Sequence, residues 1–204
     1  MMRLVRYLGW VTLLCLFAMG SIASALELGL ELLKNPDLEQ FSESGAPESW
    51  TVNLWSTDAT VQMDTTTAHS GEKSVRIHAP AGARGSIWQY GAVKAGHTYR
   101  FSVWYRTQKD LAGDAIYARL YTHSPTVPWD YSWFIDLNEG DFEITNSGNL
   151  HVYGVNTRGE WKQLTATFTL PADIPSTRVR VEFFNYRGLT DLWVDSFSFR
   201  EVLQ

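Results

Sequence analysis

The stretch TRVRVEFFNYRGLTDLWVDSFSF, from Thr177 to Phe199, predicts two β-strands joined by a turn. We interpret it as a β-hairpin whose second strand completes the domain. In that second strand Trp193, Asp195, Phe197 and Phe199 have the same parity, and a strand with a side-chain period of two places all four on one face. The three large apolar side chains indicate that this face belongs to the core.

Asp195 is the one charged residue on that predicted core face. An ionised carboxylate in an apolar interior costs free energy unless charges or hydrogen bonds compensate it. We therefore expect Asp195 to have a partner, and a cation is an obvious one. This residue is the first candidate for a metal ligand in the chain.

The N-terminal segment has the features of a secretory signal peptide. Two arginines precede an apolar run over residues 8–19, and Ala23-Ser24-Ala25 follows. A basic start, a short hydrophobic stretch and a small-residue exit predict cleavage after Ala25. We expect residues 26–204 to form the mature protein, secreted or periplasmic. No later stretch is long and apolar enough to cross a bilayer, so no membrane span is expected.

The composition of the mature segment limits the class of protein. Without Arg3 and Arg6 the 17 basic residues fall to 15, against 22 acidic residues, which gives a formal net charge of −7. This balance argues against nucleic acid or an anionic membrane as a partner. The single cysteine, Cys15, lies within the predicted signal peptide, so stability must come from one core and from any bound metal. We expect one domain and a monomer.

Alternating apolar and polar residues dominate the chain after residue 26. Ten short candidate strands are separated by turn-forming residues, and this pattern predicts an all-β sandwich. The predicted strands cover 51–55, 60–64, 74–78, 86–90, 98–107, 115–122, 131–137, 161–170, 177–186 and 192–199. The long connection 124–158 interrupts the rhythm with aromatic and acidic residues. We interpret it as the wall of a binding cleft or as a cover for an open core edge.

The predicted strands have an unusual second face. In several strands one parity is apolar and predicts the core, as Tyr99, Phe101 and Val103 do. The other parity mixes arginine, glutamate and aromatic rings, whereas solvated faces are usually rich in Lys, Glu, Thr and Ser. The strand 161–170 instead presents alternate threonines. We therefore expect one sheet to bind a ligand and the other not to.

Six short motifs follow one another in an order typical of a known class of module. They are LKNPDLE at 33–39, PESW at 47–50, HSGEKSVRI at 69–77, YRFSVWYRT at 99–107, WKQL at 161–164 and LWVDSFSF at 192–199. Together they resemble the landmarks of the carbohydrate-binding modules of the cellulose-binding C type, families four, nine, sixteen and twenty-two. The resemblance implies a jelly roll of two antiparallel sheets, similar to galactose-binding-like domains, with a glycan bound across a concave sheet face.

The resemblance also implies a structural calcium ion. Carried over by position, its ligands would be the side chains of Glu39 and Asp195, with backbone carbonyls near Asp37, Ser70 and Lys73. Ca²⁺ takes several oxygen ligands, and mixed carboxylates and carbonyls suit it. The alternative is that Asp195 caps the N–H groups of a loop, or pairs with Lys73, without a metal.

A sugar-binding face needs aromatic platforms for the C–H patches of the pyranose and hydrogen-bonding groups for its hydroxyls. The residues that we expect to supply them are Trp104, Tyr117, Tyr121 and Phe184 as platforms, and Gln89, Arg106, Arg119 and Glu182 as polar contacts. The alternative is cross-strand pairing of Arg with Glu and of Tyr with Trp, which stabilises a sheet and binds nothing. The residues assigned to packing are Trp50, Trp161 and Trp193. The expected partner is a polysaccharide or oligosaccharide.

Signals for catalysis are weak. Glycoside hydrolysis needs two carboxylates facing each other across roughly 5 to 10 Å, for which Asp136 with Glu143, or Glu182 with a loop acid, are the candidates. The sequence lacks the E-x-D-x-x-E run of jelly-roll hydrolases, the lyase motifs and G-x-S-x-G, and its five histidines are too scattered to predict zinc. It therefore favours a secreted, non-catalytic module. The alternatives are a jelly-roll glycoside hydrolase or polysaccharide lyase, and a structural envelope protein.

Overall fold

The computed structural model describes residues 26–80, 82–108, 116–122, 136–140, 143–144, 150–153, 157–174, 177–186 and 191–203. All the regular secondary structure within these ranges is β-strand. The strands are β1 (Leu28–Glu31), β2 (Thr51–Leu54), β3 (Thr60–Asp64), β4 (Ser74–His78), β5 (Gly85–Ala92), β6 (Thr98–Thr107), β7 (Ile116–Thr122), β8 (Asp136–Gly140), β9 (Glu143–Ile144), β10 (Leu150–Tyr153), β11 (Lys162–Thr169), β12 (Arg178–Asn185) and β13 (Asp191–Val202).

These strands form two antiparallel sheets packed as a jelly-roll sandwich. The first sheet has the order β3-β4-β13-β6-β11-β8, and β1 also pairs with β13. The second sheet has the order β2-β5-β12-β7-β10-β9. The prediction of an all-β, two-sheet sandwich is confirmed.

The core between the sheets is built from one parity of each central strand. Strand β6 alternates strictly along its length, with buried residues such as Phe101 and Tyr105 separated by partly exposed ones. Burial of each large apolar side chain contributes about 1.5–3 kcal/mol. The fit between the layers is close at Gly91 of β5, where an added Cβ would lie 2.5 Å from Cδ1 of Phe199.

The predicted hairpin over Thr177–Phe199 is wrong, because its two strands lie in different sheets. Strand β12 pairs with β5 and β7 in the second sheet. Strand β13 pairs with β4 and β6 in the first sheet. Each strand has one apolar face. The two apolar faces pack against the same core from opposite sides, and the two strands form no hydrogen-bonded pair with each other.

A bulge in β13 changes which residues face the core. The register shifts between Asp195 and Ser198, and Ser196 has a φ of 51° in the left-handed region that non-glycine residues rarely adopt. Phe197 therefore faces the core as predicted, whereas Trp193, before the bulge, is partly exposed on the outer face. The predicted shared parity of these two residues fails because the bulge adds a residue between them.

The long connection 124–158 contains the short strands β8, β9 and β10, of which the sequence pattern predicts only part of β8. The predicted strand 131–137 overlaps β8 only at 136–137, since residues 123–135 lie outside the described ranges. The predicted signal peptide, residues 1–25, also lies outside them. Within the part of the chain that is described, no helix has the length and apolar character to cross a membrane.

Candidate functional site

The residues predicted to bind sugar do not share one surface. Trp104 and Arg106 lie on the outer face of β6 in the first sheet. Gln89 lies on the core side of β5, where its amide exchanges two hydrogen bonds of 2.9 Å with the backbone of Lys34. The remaining predicted residues belong to β7 and β12 of the second sheet: Tyr117, Arg119, Tyr121, Glu182 and Phe184. The prediction that all eight residues share one face is therefore wrong for Trp104, Arg106 and Gln89.

The outer face of the second sheet brings together arginine, glutamate and aromatic residues. Register places Glu182 opposite Trp88 of β5 and Arg119 of β7, and it places Tyr117 opposite Phe184. We call this surface the aromatic face. Its residues with described side chains are Asn53, Trp55, Ser86, Trp88, Tyr90, Arg119, Tyr121, Arg178, Arg180, Glu182 and Phe184.

Glu182 lies at the centre of the aromatic face and has no exposed surface. Arg119 Nη2 donates to its Oε2 at 2.8 Å, and Arg180 Nη2 donates to its Oε1 at 2.8 Å. Ser86 Oγ donates to Oε1 at 2.7 Å, and the Tyr121 hydroxyl lies 3.4 Å from Oε2. A buried carboxylate requires such compensation because its desolvation is costly. Glu182 in turn fixes the positions of both guanidinium groups.

Trp88 is held from several directions. The guanidinium Cζ of Arg180 lies 3.9 Å from the centroid of the Trp88 ring. With its amide oriented to satisfy both donors, Asn53 accepts from Trp88 Nε1 at 3.0 Å and from Arg180 Nη2 at 3.1 Å. Tyr90 meets the indole edge to face at 5.4 Å. Cation–π and ring contacts of this kind contribute about 0.5–2 kcal/mol each, so the ring is preorganised.

The exposed rings differ from the predicted platforms. Trp55 is 51% exposed and stacks on Phe184 with a centroid distance of 5.3 Å and an angle of 20°. Tyr121 and Phe184 are only 1% and 4% exposed. Arg119 lies 4.6 Å and 4.9 Å from their ring centroids, Arg180 also lies over Tyr121, and Trp55 covers Phe184. These two predicted platforms therefore support the surface from below. Among the described side chains of the aromatic face, the rings with exposed surface that can meet a ligand are Trp55, Trp88 and Tyr90.

Sequence reasoning missed these three rings, although a signal for two of them was present. Trp88 and Tyr90 alternate with the core residue Ile87 in the predicted strand 86–90. The same alternation places Gln89 with Ile87 on the core side. The alternation within this strand therefore predicts Trp88 and Tyr90 on the outer face and Gln89 in the core.

The outer face of β6 in the first sheet holds a loop in place. The imidazole of His69 stacks on Trp104, with centroids 3.9 Å apart and an angle of 15°, and Trp161 meets the same imidazole edge-on at 5.7 Å. Arg106 Nη1 donates to Thr67 Oγ1 at 3.3 Å. Trp104 and Arg106 therefore pack a loop against the sheet, which is a stabilising role.

Asp195 holds the same loop from β13. Its Oδ2 accepts hydrogen bonds from the backbone N–H groups of His69 at 2.8 Å and Ser70 at 3.0 Å, and Ser196 Oγ lies 3.3 Å from Oδ1. The carboxylate has no exposed surface. Burial raises the pKa of Asp195, and the N–H groups offset this effect only in part. These contacts are those of the loop-capping alternative.

Glu39 binds the second half of the loop, residues 72–73. Its Oε1 accepts from the backbone N–H groups of Glu72 at 2.9 Å and Lys73 at 3.1 Å. The Lys73 ammonium donates to the backbone carbonyl of Glu39 at 2.8 Å, so it does not pair with Asp195. Gly71 lies directly beneath the carboxylate, because an added Cβ would be 2.1 Å from Oε1.

Four of the five residues to which the resemblance assigns calcium thus meet at one loop through hydrogen bonds: Glu39, Ser70, Lys73 and Asp195. The fifth, Asp37, lies two positions before Glu39 in the sequence. Carboxylate and carbonyl oxygens are chemically suited to Ca²⁺, and no basic side chain in the described ranges forms an ion pair with Asp195. The described part of the chain contains no cluster of three or more His, Cys, Asp or Glu side chains that could hold a metal. Calcium therefore stays a prediction.

The predicted catalytic carboxylates are not brought to one sheet. Asp136 belongs to β8 at the edge of the first sheet, and Glu143 belongs to β9 at the edge of the second. Glu182 has both carboxylate oxygens occupied by the guanidiniums of Arg119 and Arg180. Among the candidate acids, Glu182 is the one whose surroundings are described, and they are those of a structural ion pair.

Comparison with known proteins gives similarity in structure only. No protein-family model matches the chain, and no curated protein does. The CBM22-1 xylan-binding domain from Paenibacillus barcinonensis Xyn10C superimposes with a TM-score of 0.54 and 13% identity, over 89% of this chain and 99% of that one.

Two other solved structures are enzymes or parts of enzymes. The Stig cyclase Fisc from Fischerella sp. TAU has a TM-score of 0.58 and 13% identity, over 86% of this chain and 98% of that one. The enzymatically active domain of bacteriophage CBA120 tailspike protein 4 has a TM-score of 0.59 and 11% identity over 84% of this chain. This chain spans only 21% of the tailspike chain. The shared feature is therefore the fold: a two-sheet β-sandwich of the kind found in carbohydrate-binding modules.

Proposed function

We propose that this protein is a secreted, non-catalytic carbohydrate-binding module that holds a polysaccharide or oligosaccharide on the aromatic face. The observation that carries the proposal is the set of part-exposed rings Trp55, Trp88 and Tyr90 on one sheet face, interleaved with guanidinium groups. The structural similarity to a xylan-binding domain over nearly its full length supports the fold that such a role requires.

The chemistry of the face suits a sugar. A pyranose presents apolar C–H patches that stack on aromatic rings, and a fringe of hydroxyls that need hydrogen bonds. Trp55 and Trp88 offer ring surface, and Arg178 and Arg180 offer N–H donors beside it. Because Glu182 and Asn53 already fix Arg180 and Trp88, little ordering of these two side chains is required when a ligand binds.

The proposal of a non-catalytic role rests on the burial and the hydrogen bonds of Glu182. A general acid or base must reach the proton that it transfers. The Glu182 carboxylate has no exposed surface, and its oxygens accept from Arg119, Arg180 and Ser86. Such a group stabilises the face and does not act on a bound glycan.

The proposal includes a structural calcium ion at the loop 69–73. Glu39 and Asp195 supply carboxylates from two distant segments, and the loop supplies backbone carbonyls. What supports it is the buried Asp195 carboxylate, whose raised pKa reflects a desolvation that a cation would offset. The ion would stabilise the connection between the first segment of the domain, the loop and β13.

Affinity electrophoresis in gels that contain a soluble polysaccharide tests the function, with glucan, xylan, galactan and uronate polymers in parallel. We expect retardation by at least one of them. Trp55→Ala and Trp88→Ala should each weaken binding by about tenfold, since a lost ring contact of about 1.4 kcal/mol corresponds to that factor.

The matched control is Trp161→Ala, which removes a part-exposed indole just before β11 of the first sheet. It should leave retardation unchanged, and thermal denaturation should confirm that all variants are folded. Equal binding by all variants would place the site elsewhere. Release of reducing ends or unsaturated products, abolished by Glu182→Gln, would show an enzyme, and no response in either assay would favour a structural protein.

A further inference from the structure

Asn53 lies between the two tryptophans of the aromatic face. It belongs to β2, and Trp55 follows it by two residues, which places both side chains on the same face of the strand. Trp88 of β5 is in register with Thr51, two residues before Asn53. The Asn53 side chain is part-exposed. A sugar that stacks on either indole therefore brings its oxygen atoms close to the Asn53 amide.

Two neighbouring N–H groups fix the orientation of this amide. Trp88 Nε1 and Arg180 Nη2 lie 3.0 Å and 3.1 Å from the same terminal atom of Asn53. Both groups only donate, so this atom is the oxygen Oδ1, whose two lone pairs can accept one hydrogen bond each. The opposite orientation would set the amide N–H groups against two other donors. Nδ2 therefore takes no part in either contact.

The two ends of the amide are thus available for different tasks. Oδ1 is occupied by protein donors, and it holds the Trp88 ring and the Arg180 guanidinium in place. The indole N–H is the one polar group of the Trp88 side chain, and the same contact uses it. Nδ2 carries two N–H groups and can only donate. A ligand atom that meets Nδ2 must therefore accept a hydrogen bond, as the hydroxyl, ring and carbonyl oxygens of sugars do.

We infer that Asn53 is a specificity-determining residue of the aromatic face, which binds an acceptor oxygen of the glycan through Nδ2 while its Oδ1 positions Trp88 and Arg180. This inference rests on the proposed function and names a residue that selects its ligand. The sugar unit between Trp55 and Trp88 must present an oxygen to the amide. A sugar with a C–H group at that position leaves the amide donors without a partner and binds less tightly.

Asn53→Asp tests the contact because it replaces Nδ2 by oxygen and keeps the shape of the side chain. One carboxylate oxygen can still accept from Trp88 and Arg180, whereas the other turns an acceptor toward the acceptor of the ligand. The probes are the glucan, xylan, galactan and uronate polymers of the affinity gels. For the polymer that retards the wild-type protein most, the dissociation constant of Asn53→Asp should be about tenfold higher.

Gln163→Glu is the matched control. Gln163 is exposed on β11 of the first sheet, and its replacement makes the same change from amide to carboxylate with the same change of charge. Binding by Gln163→Glu should equal that of the wild-type protein. Thermal denaturation should show that both variants are folded.

A second measurement uses the wild-type protein and depends on no substitution. In ¹H–¹⁵N NMR spectra the Nδ2 protons of Asn53 give resonances of their own, which are identified by their loss in Asn53→Asp. Addition of an oligosaccharide cut from the polymer that binds should move these resonances, because their protons enter a new hydrogen bond. The side-chain amide resonances of Gln163 should not move.

The outcomes separate the inference from the proposed function. Wild-type affinity in a folded Asn53→Asp variant, or Asn53 amide resonances that stay in place when the oligosaccharide binds, would overturn the inference and leave the proposed function intact. Equal weakening by Asn53→Asp and Gln163→Glu would also overturn it, because the effect would then come from added negative charge in general. If no polymer retards the wild-type protein, the proposed function fails, and the role of Asn53 fails with it.

Discussion

The backbone N–H of His69 donates a 2.8 Å hydrogen bond to Oδ2 of Asp195, although 126 positions separate the two residues. The contact ties the loop 69–73 to the bulge of β13, and Glu39 binds the other half of the same loop. A long-range contact of this kind closes a large segment of chain, so its loss should affect the stability of the whole domain.

Replacement of Asp195 by alanine leaves the N–H groups of His69 and Ser70 without their acceptor. We expect the free energy of unfolding to fall by about 2–4 kcal/mol, since hydrogen bonds to a charged group contribute about 1.5–3 kcal/mol each and removal of the buried charge offsets part of the loss. Urea denaturation measures the change. Glu72→Ala, at an exposed position of the same loop, should stay within about 0.5 kcal/mol of wild type. A loss of equal size in both variants would contradict the role of Asp195.

Removal of divalent cations tests the proposed calcium ion. Dialysis against a chelator should lower the melting temperature of the wild-type protein, and added Ca²⁺ should restore it, because a ligand bound to the native state stabilises it. The Asp195→Asn variant keeps the shape of the side chain and lacks its charge. It should respond little to either treatment. If the wild-type melting temperature is the same with chelator and with Ca²⁺, the carboxylates serve only to cap the loop.

Gly71 is required both by its backbone and by its surroundings. Its φ is +62°, and a Cβ would lie 2.1 Å from Glu39 Oε1. We expect Gly71→Ala to reduce the free energy of unfolding by about 2–4 kcal/mol. Gly45 has a φ of +79° with nothing within 4 Å of an added Cβ, so Gly45→Ala reports the backbone cost alone, about 1 kcal/mol. Equal losses would mean that the Glu39 side chain moves aside freely.

Asp191 makes stability depend on pH in the acid range. Burial alone would raise the pKa of Asp191, but hydrogen bonds from Arg76 and His78 outweigh it and the pKa is lowered. A carboxylate with a lowered pKa in the folded state stabilises the protein above its unfolded pKa of about 3.9, and that contribution is lost as the pH falls through the folded value. We expect urea denaturation to show wild-type stability falling below about pH 4, with a shallower fall in Asp191→Asn. Parallel curves would contradict the prediction.

Much of the fold could be predicted because several strands alternate without interruption. The bounds of β3, β4 and β6 are those of the predicted strands 60–64, 74–78 and 98–107. The placement of β12 and β13 in opposite sheets could not be predicted in the same way. Proximity in sequence favoured a hairpin, whereas burial of both apolar faces against one core favoured opposite sheets.

The candidate site was predicted less well, for a physical reason. Parity specifies which face of a strand a residue occupies, but it does not specify the sheet to which the strand belongs. Trp104 and Tyr121 therefore looked equivalent, although β6 and β7 lie in opposite layers. Tyr121 and Phe184 are covered by side chains from other positions, among them Arg119 and Trp55, and such contacts become visible only once the register between strands is known.

The position of β13 between β4 and β6 has a consequence for how the protein assembles. Strand β13 joins two parts of the first sheet, β3-β4 and β6-β11-β8, and the strands of both parts are synthesised before it. Until it arrives, β4 and β6 each expose an edge of unpaired N–H and C=O groups, and such edges favour association with other chains. A nascent chain is thus most vulnerable to aggregation just before synthesis of residues 191–202 is complete, and a holding chaperone would be of most use at that stage.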